Sequence, residues 1–255
     1  IILTGASGFV GSNVLKSLED STQKIYSMNR VELKKIQLLD FTKKINTNNK
    51  NYQNIHTLIH CAGLAHKPKG KYRYKDIEEI NVSLPVNLFK LATLYNIKKF
   101  IFISSSKVLG EKTDKLLPFD ENFEYNPQDD YSRSKYRAEK KLISLSKTSK
   151  VQLIILRPPL IYGPGVKGNF LKLIKYIHKF AIIPDANNSY LRSYISMQNF
   201  TEVIKLLINI ELDRINIYLI SDDNDLSLED IYKIGVQLLM FLENFHKQSL
   251  IHRDI

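Results

Sequence analysis

The stretch IILTGASGFVG, residues 1–11, decides the fold. Ile1 to Thr4 is a short apolar run with strand character. Three of the chain's ten glycines, Gly5, Gly8 and Gly11, follow within seven residues. Val10, Val14, Leu15 and Leu18 then recur at helical spacing. A strand, a glycine turn and a helix in this order let backbone approach a pyrophosphate closely. The helix N-terminus offers it free N–H groups and the positive end of a dipole. The turn residues Gly5, Gly8, Phe9, Val10 and Gly11 are therefore the candidate dinucleotide-binding element.

Working outward, the same alternation repeats. Strands are expected at Lys24 to Met28, Ile36 to Leu39, Thr57 to Cys61, Lys99 to Ser104 and Val151 to Leu156. Helices are expected over Asp76 to Tyr95, kinked at Pro85, and over Asp130 to Ser146. The asparagine-rich stretch from Lys43 to Asn54 reads as a loop. Strands alternating with helices predict an α/β fold, a Rossmann-type doubly wound parallel sheet. The expected division is a nucleotide-binding domain over 1–165 and a partial substrate-binding lobe over 166–255, interleaved with the last sheet strands. At the end of the second strand a ribose-reading acidic residue is expected about 20 residues beyond the glycines. Asn29 and Arg30 stand there instead. Asn29 suits a ribose hydroxyl and Arg30 a 2′-phosphate, so NAD and NADP both stay open.

Composition limits the alternatives. The 255 residues are 44% hydrophobic and 25% charged, which excludes a disordered or collagen-like chain. A single cysteine, Cys61, excludes an intrachain disulfide and points to a reducing compartment, so a cytoplasmic location is expected. No apolar run reaches the ~18 residues of a membrane span, and the start lacks the charged region of a signal peptide. The six histidines show no ligand spacing, so no metal is expected. The net charge of +11 raises the question of nucleic acid. Its densest cluster is Lys67, Lys69, Lys71, Arg73 and Lys75, interleaved with Tyr72 and Tyr74. A solvated loop explains such a run better, and no nucleic-acid partner is expected. The tail Leu250 to Ile255 (LIHRDI) looks like a protein-kinase catalytic loop but stands without the rest of that machinery. It is read as chance or a foreign segment.

Tyr131 and Lys135 are spaced i, i+4 at a helix start and share one face. A neighbouring ammonium is expected to lower the phenol's pKa toward working pH, which suits acid/base work on an alcohol/ketone pair. Ser104 to Ser106 close a buried strand at its carboxyl end, where ligands bind in open parallel sheets.

These segments together make the chain resemble the extended short-chain dehydrogenase/reductase family, the NAD-dependent epimerase/dehydratase group acting on sugar nucleotides. The resemblance is carried by TGASGFVGS (4–12), IHCAG (59–63), FISSSKVLGE (102–111), YSRSK (131–135), RPPLIYGPG (157–165) and LRSYI (191–195). It implies a catalytic triad of Ser105, Tyr131 and Lys135. It implies Asp40 and Phe41 at the adenine, Cys61, Ala62 and Gly63 along the cofactor's centre, and Pro158 with Pro159 at the nicotinamide. On the substrate side it implies Asn81, as the helix asparagine supporting the site, with Leu160, Asn169, Phe170 and Arg192 around the sugar nucleotide, Arg192 against its diphosphate. NAD is the implied cofactor, with NADP possible, and a nucleotide-diphosphate sugar the implied partner. Homodimerisation through helices like 76–95 and 130–146 is common in that family.

Three departures matter. The ribose-reading acid is replaced, the family's VYG is Val108-Leu109-Gly110, and Ser106-Lys107 stands where 4,6-dehydratases carry Asp-Glu. Elimination of water needs an acid and a base at neighbouring carbons, so dehydration is disfavoured. The expected activity is hydride transfer at the sugar C4 with Tyr131 as acid/base, preferably 4-epimerisation. A 4-keto-sugar reductase is the alternative, and a non-catalytic NAD(P)-binding regulator is the reading from another class. Ile1 falls inside the family's first strand and the chain stops before the family's usual end. A trimmed front and a truncated substrate lobe are therefore expected.

Overall fold

The structure, a computed structural model, describes residues 1–19, 23–28, 30–37, 54–65, 73–113, 118–166, 191–227, 229–230 and 233. Six parallel strands form one sheet: β1 (Ile2–Thr4), β2 (Tyr26–Met28), β3 (Thr57–His60), β4 (Lys99–Ile103), β5 (Gln152–Arg157) and β8 (Ile215–Leu219). Their order is β2-β1-β3-β4-β5-β8. A second, two-stranded parallel pair joins β6 (Leu160–Tyr162) to β7 (Tyr194–Ser196).

Alternation along each strand explains the two helical layers. Side chains i and i+1 point to opposite faces. On one face Ile2, Leu58, Phe100, Phe102, Leu153 and Ile155 pack against α2 (Arg30–Gln37), α4 (Leu84–Leu94) and α5 (Asp130–Ser146) through Ile36, Leu88, Phe89, Ala138 and Leu142. On the other, Leu3, Ile59, Ile101, Ile103, Ile154 and Leu156 meet α1 (Phe9–Leu18) and α6 (Met197–Asn209) through Val14, Leu18, Phe200, Ile204 and Leu207. A sheet covered on both faces reads as continuous apolar runs such as the FIFI of β4, whose four apolar residues are all buried.

Two expectations change. Ile36 and Gln37 end helix α2 instead of opening a strand. Leu33 and Ile36 lie one turn apart, and both pack against the core below the helix. Lys43 to Gln53 lie outside the described residues, as do 250–255. The helix expected over Asp76 to Tyr95 is three pieces: α3 (Tyr74–Glu78), a π-helical turn (Glu79–Ser83) and α4. Leu84 donates its amide five residues back, to Glu79. Pro85, near the start of α4, has no N–H to donate and its ring crowds the preceding turn, which accounts for the widening upstream of it.

The order β2-β1-β3 places a topological switch between β1 and β3. Their carboxyl ends carry Gly5 and Cys61, so the crevice expected of an open α/β sheet opens between the glycine turn and the IHCAG segment. Among the described residues no helix is long and apolar enough to cross a membrane.

Candidate active site

The glycine turn is closed by backbone contacts that side chains would prevent. Gly5 adopts φ +76°, and a Cβ there would stand 2.6 Å from the Ala62 amide nitrogen. A Cβ on Gly11 would lie 2.2 Å from the Gly5 carbonyl oxygen. Gly8 donates its amide to that same oxygen at 2.8 Å, and Ser12 donates to the Gly8 carbonyl at 2.9 Å. Helix α1 starts at Phe9 with no side-chain cap and no acidic residue in its first turn. Its first amides and dipole are thus arranged for an anion, as a dinucleotide's pyrophosphate would be. The turn is bracketed by β3's end: Cys61 donates to the Thr4 carbonyl at 3.3 Å, and Ala62 to the Thr4 hydroxyl at 3.4 Å.

Helix α5 brings the next group. Asp129 caps it, accepting the Ser132 amide at 2.6 Å while Ser132 Oγ accepts the Asp129 amide at 3.0 Å. This reciprocal cap fixes Tyr131 in the first turn. One turn on, Lys135 is buried and donates Nζ to the Ile103 carbonyl at the tip of β4, at 2.8 Å. Nζ lies 4.7 Å from the Phe102 ring centroid and 6.0 Å from that of Tyr131. Ser105 caps the short 3₁₀ turn Ser106–Val108, accepting the Lys107 amide at 3.3 Å, and its hydroxyl acts to lower the pKa of the Tyr131 phenol. Strand β4 and helix α5 thereby converge Ser105, Tyr131 and Lys135 at the sheet's carboxyl edge.

The electrostatics correct the sequence expectation. Burial pushes the Tyr131 phenol up to about 12, the Asp129 charge adds to this, and the Ser105 hydroxyl opposes it. The Lys135 ammonium faces the Ile103 carbonyl and is not what sets the phenol's pKa. Lys135 itself is held down to about 8 by burial, against the pull of Cys61 and Glu139. Burial likewise raises the Cys61 thiol to about 12, so the thiolate is not available at neutral pH.

Asn81 reaches the same place from the π-helical turn. It is fully buried, accepts the Leu64 amide at 2.8 Å, and donates to the Leu64 carbonyl at 3.1 Å and to Ser134 Oγ at 2.9 Å. Ser134 in turn donates to the Tyr131 carbonyl at 2.6 Å. Its amide therefore ties the segment after β3 to the helix of Tyr131. Gly63 borders both groups: a Cβ there would lie 3.4 Å from Lys135 Nζ and 3.5 Å from Asn81 Oδ1.

Beyond β5, Pro158 is buried and its carbonyl accepts the Ser106 amide at 2.9 Å, so it stands beside the serine segment. Leu160 opens β6 and is 40% exposed. Arg192 is exposed and paired through its backbone with Leu226, in both directions at 3.0 Å. Asn29, Asp40, Phe41, Asn169 and Phe170 lie outside the described residues, and Arg30 is placed only as the first residue of α2. Among the described residues no group of His, Cys, Asp and Glu could hold a metal ion.

Sequence reasoning passed over Glu139 and Arg157. Both are fully buried and joined at 2.8 Å directly behind Lys135 and Pro158. The signals were there: a lone arginine closing the apolar run VQLIILR, and a glutamate i+4 from Lys135.

A parallel sheet with a glycine turn at its switch point and a Ser-Tyr-Lys cluster at its carboxyl edge defines a dinucleotide-dependent α/β class. Residues 1–212 match the model of the NAD dependent epimerase/dehydratase family, and the chain belongs to that family. It is 35% identical over 246 residues to the UDP-glucose 4-epimerase of Vibrio cholerae, covering 91% of this chain and 74% of that one. It is 27% identical over 178 residues to a putative UDP-glucose 4-epimerase of Methanocaldococcus jannaschii, covering 64% of this chain and 56% of the relative. The human dTDP-D-glucose 4,6-dehydratase is 26% identical over 208 residues, with 71% and 57% covered. The chain thus spans a little over half the length of these last two relatives. Among solved structures, MoeE5 in complex with UDP-glucose and NAD superposes with a TM-score of 0.76 at 19% identity, covering 93% of this chain and 81% of that one. The UDP-glucuronic acid 4-epimerase of Bacillus cereus in complex with NAD gives 0.73 at 20% identity, covering 93% and 83%.

Proposed function

We propose that this chain is an NAD-dependent nucleotide-sugar 4-epimerase. The observation that carries the reading is the convergence of Ser105, Tyr131 and Lys135 beside a glycine turn built for a pyrophosphate. The 35% identity to a UDP-glucose 4-epimerase supports the choice of a nucleotide-diphosphate sugar as substrate.

Gly5, Gly8, Phe9, Val10 and Gly11 would hold the dinucleotide's pyrophosphate, and Cys61, Ala62, Gly63 and Pro158 its central and nicotinamide portions. When bound, the nicotinamide supplies a reversible hydride acceptor whose oxidised ring also favours a nearby phenolate. Tyr131 takes the proton of the sugar C4 hydroxyl and returns it after the sugar has turned over. Ser105 donates to the oxygen as it becomes a ketone. Lys135 holds a ribose hydroxyl from the floor of the site. Leu160, Asn169, Phe170 and Arg192 would face the substrate, the last three from the chain beyond residue 165. A homodimer through the α3–α4 and α5 faces and a cytoplasmic location belong to the same reading.

Against dehydration stands Lys107. Its ammonium faces Asp129 at 3.2 Å and Glu111 at 3.5 Å. Position 107 therefore offers an ammonium, which has no lone pair to take a proton, where elimination would need a base beside the acid.

Incubation with UDP-, GDP- and dTDP-sugars and NAD or NADP, read by product stereochemistry, tests the proposal. Interconversion of C4 epimers without net NAD(P)H consumption is expected. Stoichiometric NAD(P)H consumption with a 4-keto sugar would instead establish the reductase. The Tyr131→Phe variant should bind cofactor and lose about 10² to 10⁴-fold in turnover.

A further inference from the structure

Behind the catalytic cluster lies a closed network of buried polar groups. Arg157 donates Nη2 to Glu139 Oε2 at 2.8 Å and Nε to both carboxylate oxygens at 3.3 Å. Glu139 also accepts the Ser104 hydroxyl and, at 3.0 Å, the Tyr125 hydroxyl. Arg157 donates Nη1 to the Glu121 carbonyl at 3.1 Å, and its guanidinium lies 4.9 Å from the Tyr125 ring centroid.

The network is a poor device for stability alone. Taking two charges out of water costs several kcal/mol per ion, and apolar residues of similar volume often serve equally well. What distinguishes it is where its members lead. Glu139 follows Lys135 and Tyr131 at one-turn intervals on the same face of α5. Ser104 directly precedes Ser105. Arg157 directly precedes Pro158, whose carbonyl accepts the Ser106 amide at 2.9 Å. Tyr125 belongs to the loop that leads to the Asp129 cap. The segments that carry Ser105, Tyr131 with Lys135, and Pro158 are thus pinned to one carboxylate.

We propose that Glu139 and Arg157, with Ser104 and Tyr125, are positioning residues that set the spacing between the Ser105 hydroxyl and the Tyr131 phenol. They act through β4 and α5 and touch no substrate. Their work rests on the epimerase reading, because it is the proton transfer at Tyr131 that needs the spacing. A displacement of about 1 Å at a reacting group costs up to ~10²-fold in rate.

The test uses Ser104→Ala and Tyr125→Phe, each of which removes one hydroxyl and leaves the ion pair in place, with Ser104→Thr as rescue. Lys99→Met is a control far from the site. In Ser104→Ala and Tyr125→Phe, kcat on the nucleotide sugar turned over by the wild type should fall about tenfold to a hundredfold, with KM and NAD affinity within about twofold. Ser104→Thr should recover most of kcat. Lys99→Met should lose thermal stability with kcat at 25 °C intact. Crystal structures of Ser104→Ala and Tyr125→Phe should show the distance between the Ser105 and Tyr131 hydroxyls changed by about 1 Å. Wild-type kcat with that distance unchanged in both variants would overturn the proposal. A wild-type protein that turns over no nucleotide sugar would count against the epimerase reading alone, and the two crystal structures then decide the positioning role by themselves.

Discussion

Lys135 donates its ammonium to the carbonyl of Ile103 at 2.8 Å while its Nζ stands 6.0 Å from the Tyr131 ring centroid. The lysine is therefore anchored to the strand that leads to Ser105, and its charge is held in a buried place. Burial lowers its pKa from 10.5 to about 8, with Cys61 and Glu139 opposing. Between those values the unfolded chain binds a proton that the folded chain does not. Stability from this group must rise with pH through that window, and the burial penalty is fully present below it. Urea unfolding of wild type and Lys135→Met at pH 7.5, 8.5 and 9.5 should show the wild type gaining on the variant by up to about 1.4 kcal/mol per pH unit. Parallel profiles would refute a buried, titrating Lys135. The variant should also lose turnover at every pH.

Asp129 offers a separable handle on Tyr131. Burial raises its carboxyl, but hydrogen bonds from Ser132 and the Lys107 ammonium outweigh this and keep it ionised. That charge helps hold the phenol at about 12. Asp129→Ser keeps an N-capping oxygen and deletes the charge. The Lys107 ammonium keeps Glu111 at 3.5 Å, and Ser105 and Lys135 stay in place. The acid limb of the kcat profile should move to lower pH by up to about 1 unit, with little change in thermal midpoint. A limb that stays put, or moves upward, would show that Asp129 does not act on the phenol.

Much of this was legible because the signals were local. The strand, glycines and helix of residues 1–18 announce a nucleotide turn, and KFIFI announces a strand buried on both faces. The strand expected over Ile36 to Leu39 misled because a short apolar run does not by itself tell a buried strand from the end of a helix. Tertiary packing against Met28 and the α4 layer resolved it. The π-helical turn was invisible beyond Pro85 because a one-residue change in hydrogen-bond ladder leaves no compositional trace. The cluster at Ser105 needed long-range pairing of β4 with α5 to become a site. The Tyr131 pKa was misjudged for the same reason: i, i+4 spacing fixes a face, whereas the Ile103 carbonyl that claims the ammonium comes from another element.

The glycine turn yields a steric prediction. Gly11→Ala places a methyl 2.2 Å from the Gly5 carbonyl oxygen, and that oxygen also accepts the Gly8 amide. Backbone on both sides must move, because no flexible side chain is there to yield. Overpacking of this kind costs about 1–3 kcal/mol, and the displaced amides of α1 should weaken dinucleotide binding at least tenfold. Fluorescence titration with NADH and a thermal melt read the two effects. Normal affinity in a folded Gly11→Ala protein would exclude the turn as the pyrophosphate site.

Among the described residues Lys99 is the other buried lysine, and its work is structural. It opens β4, is 2% exposed, and donates to the carbonyls of Leu207 at 3.2 Å, Ile208 at 3.0 Å and Ile210. Those carbonyls close α6, whose last turn carries no basic residue of its own. The lysine thus supplies donors and a positive charge to a helix C-terminus from a neighbouring strand, and ties the layer beneath α1 to the sheet's edge. Lys99→Met preserves most of the side-chain volume and removes the donors. Hydrogen bonds to charged groups contribute about 1.5–3 kcal/mol, and the abandoned carbonyls stay buried. The variant should lose about 2–3 kcal/mol in urea unfolding. Amide exchange should quicken first in the last turn of α6. Its kcat at 25 °C should match the wild type, since Tyr131 and Ser105 hang from the opposite end of β4. An unchanged unfolding midpoint would mean that α6 closes without help from the sheet.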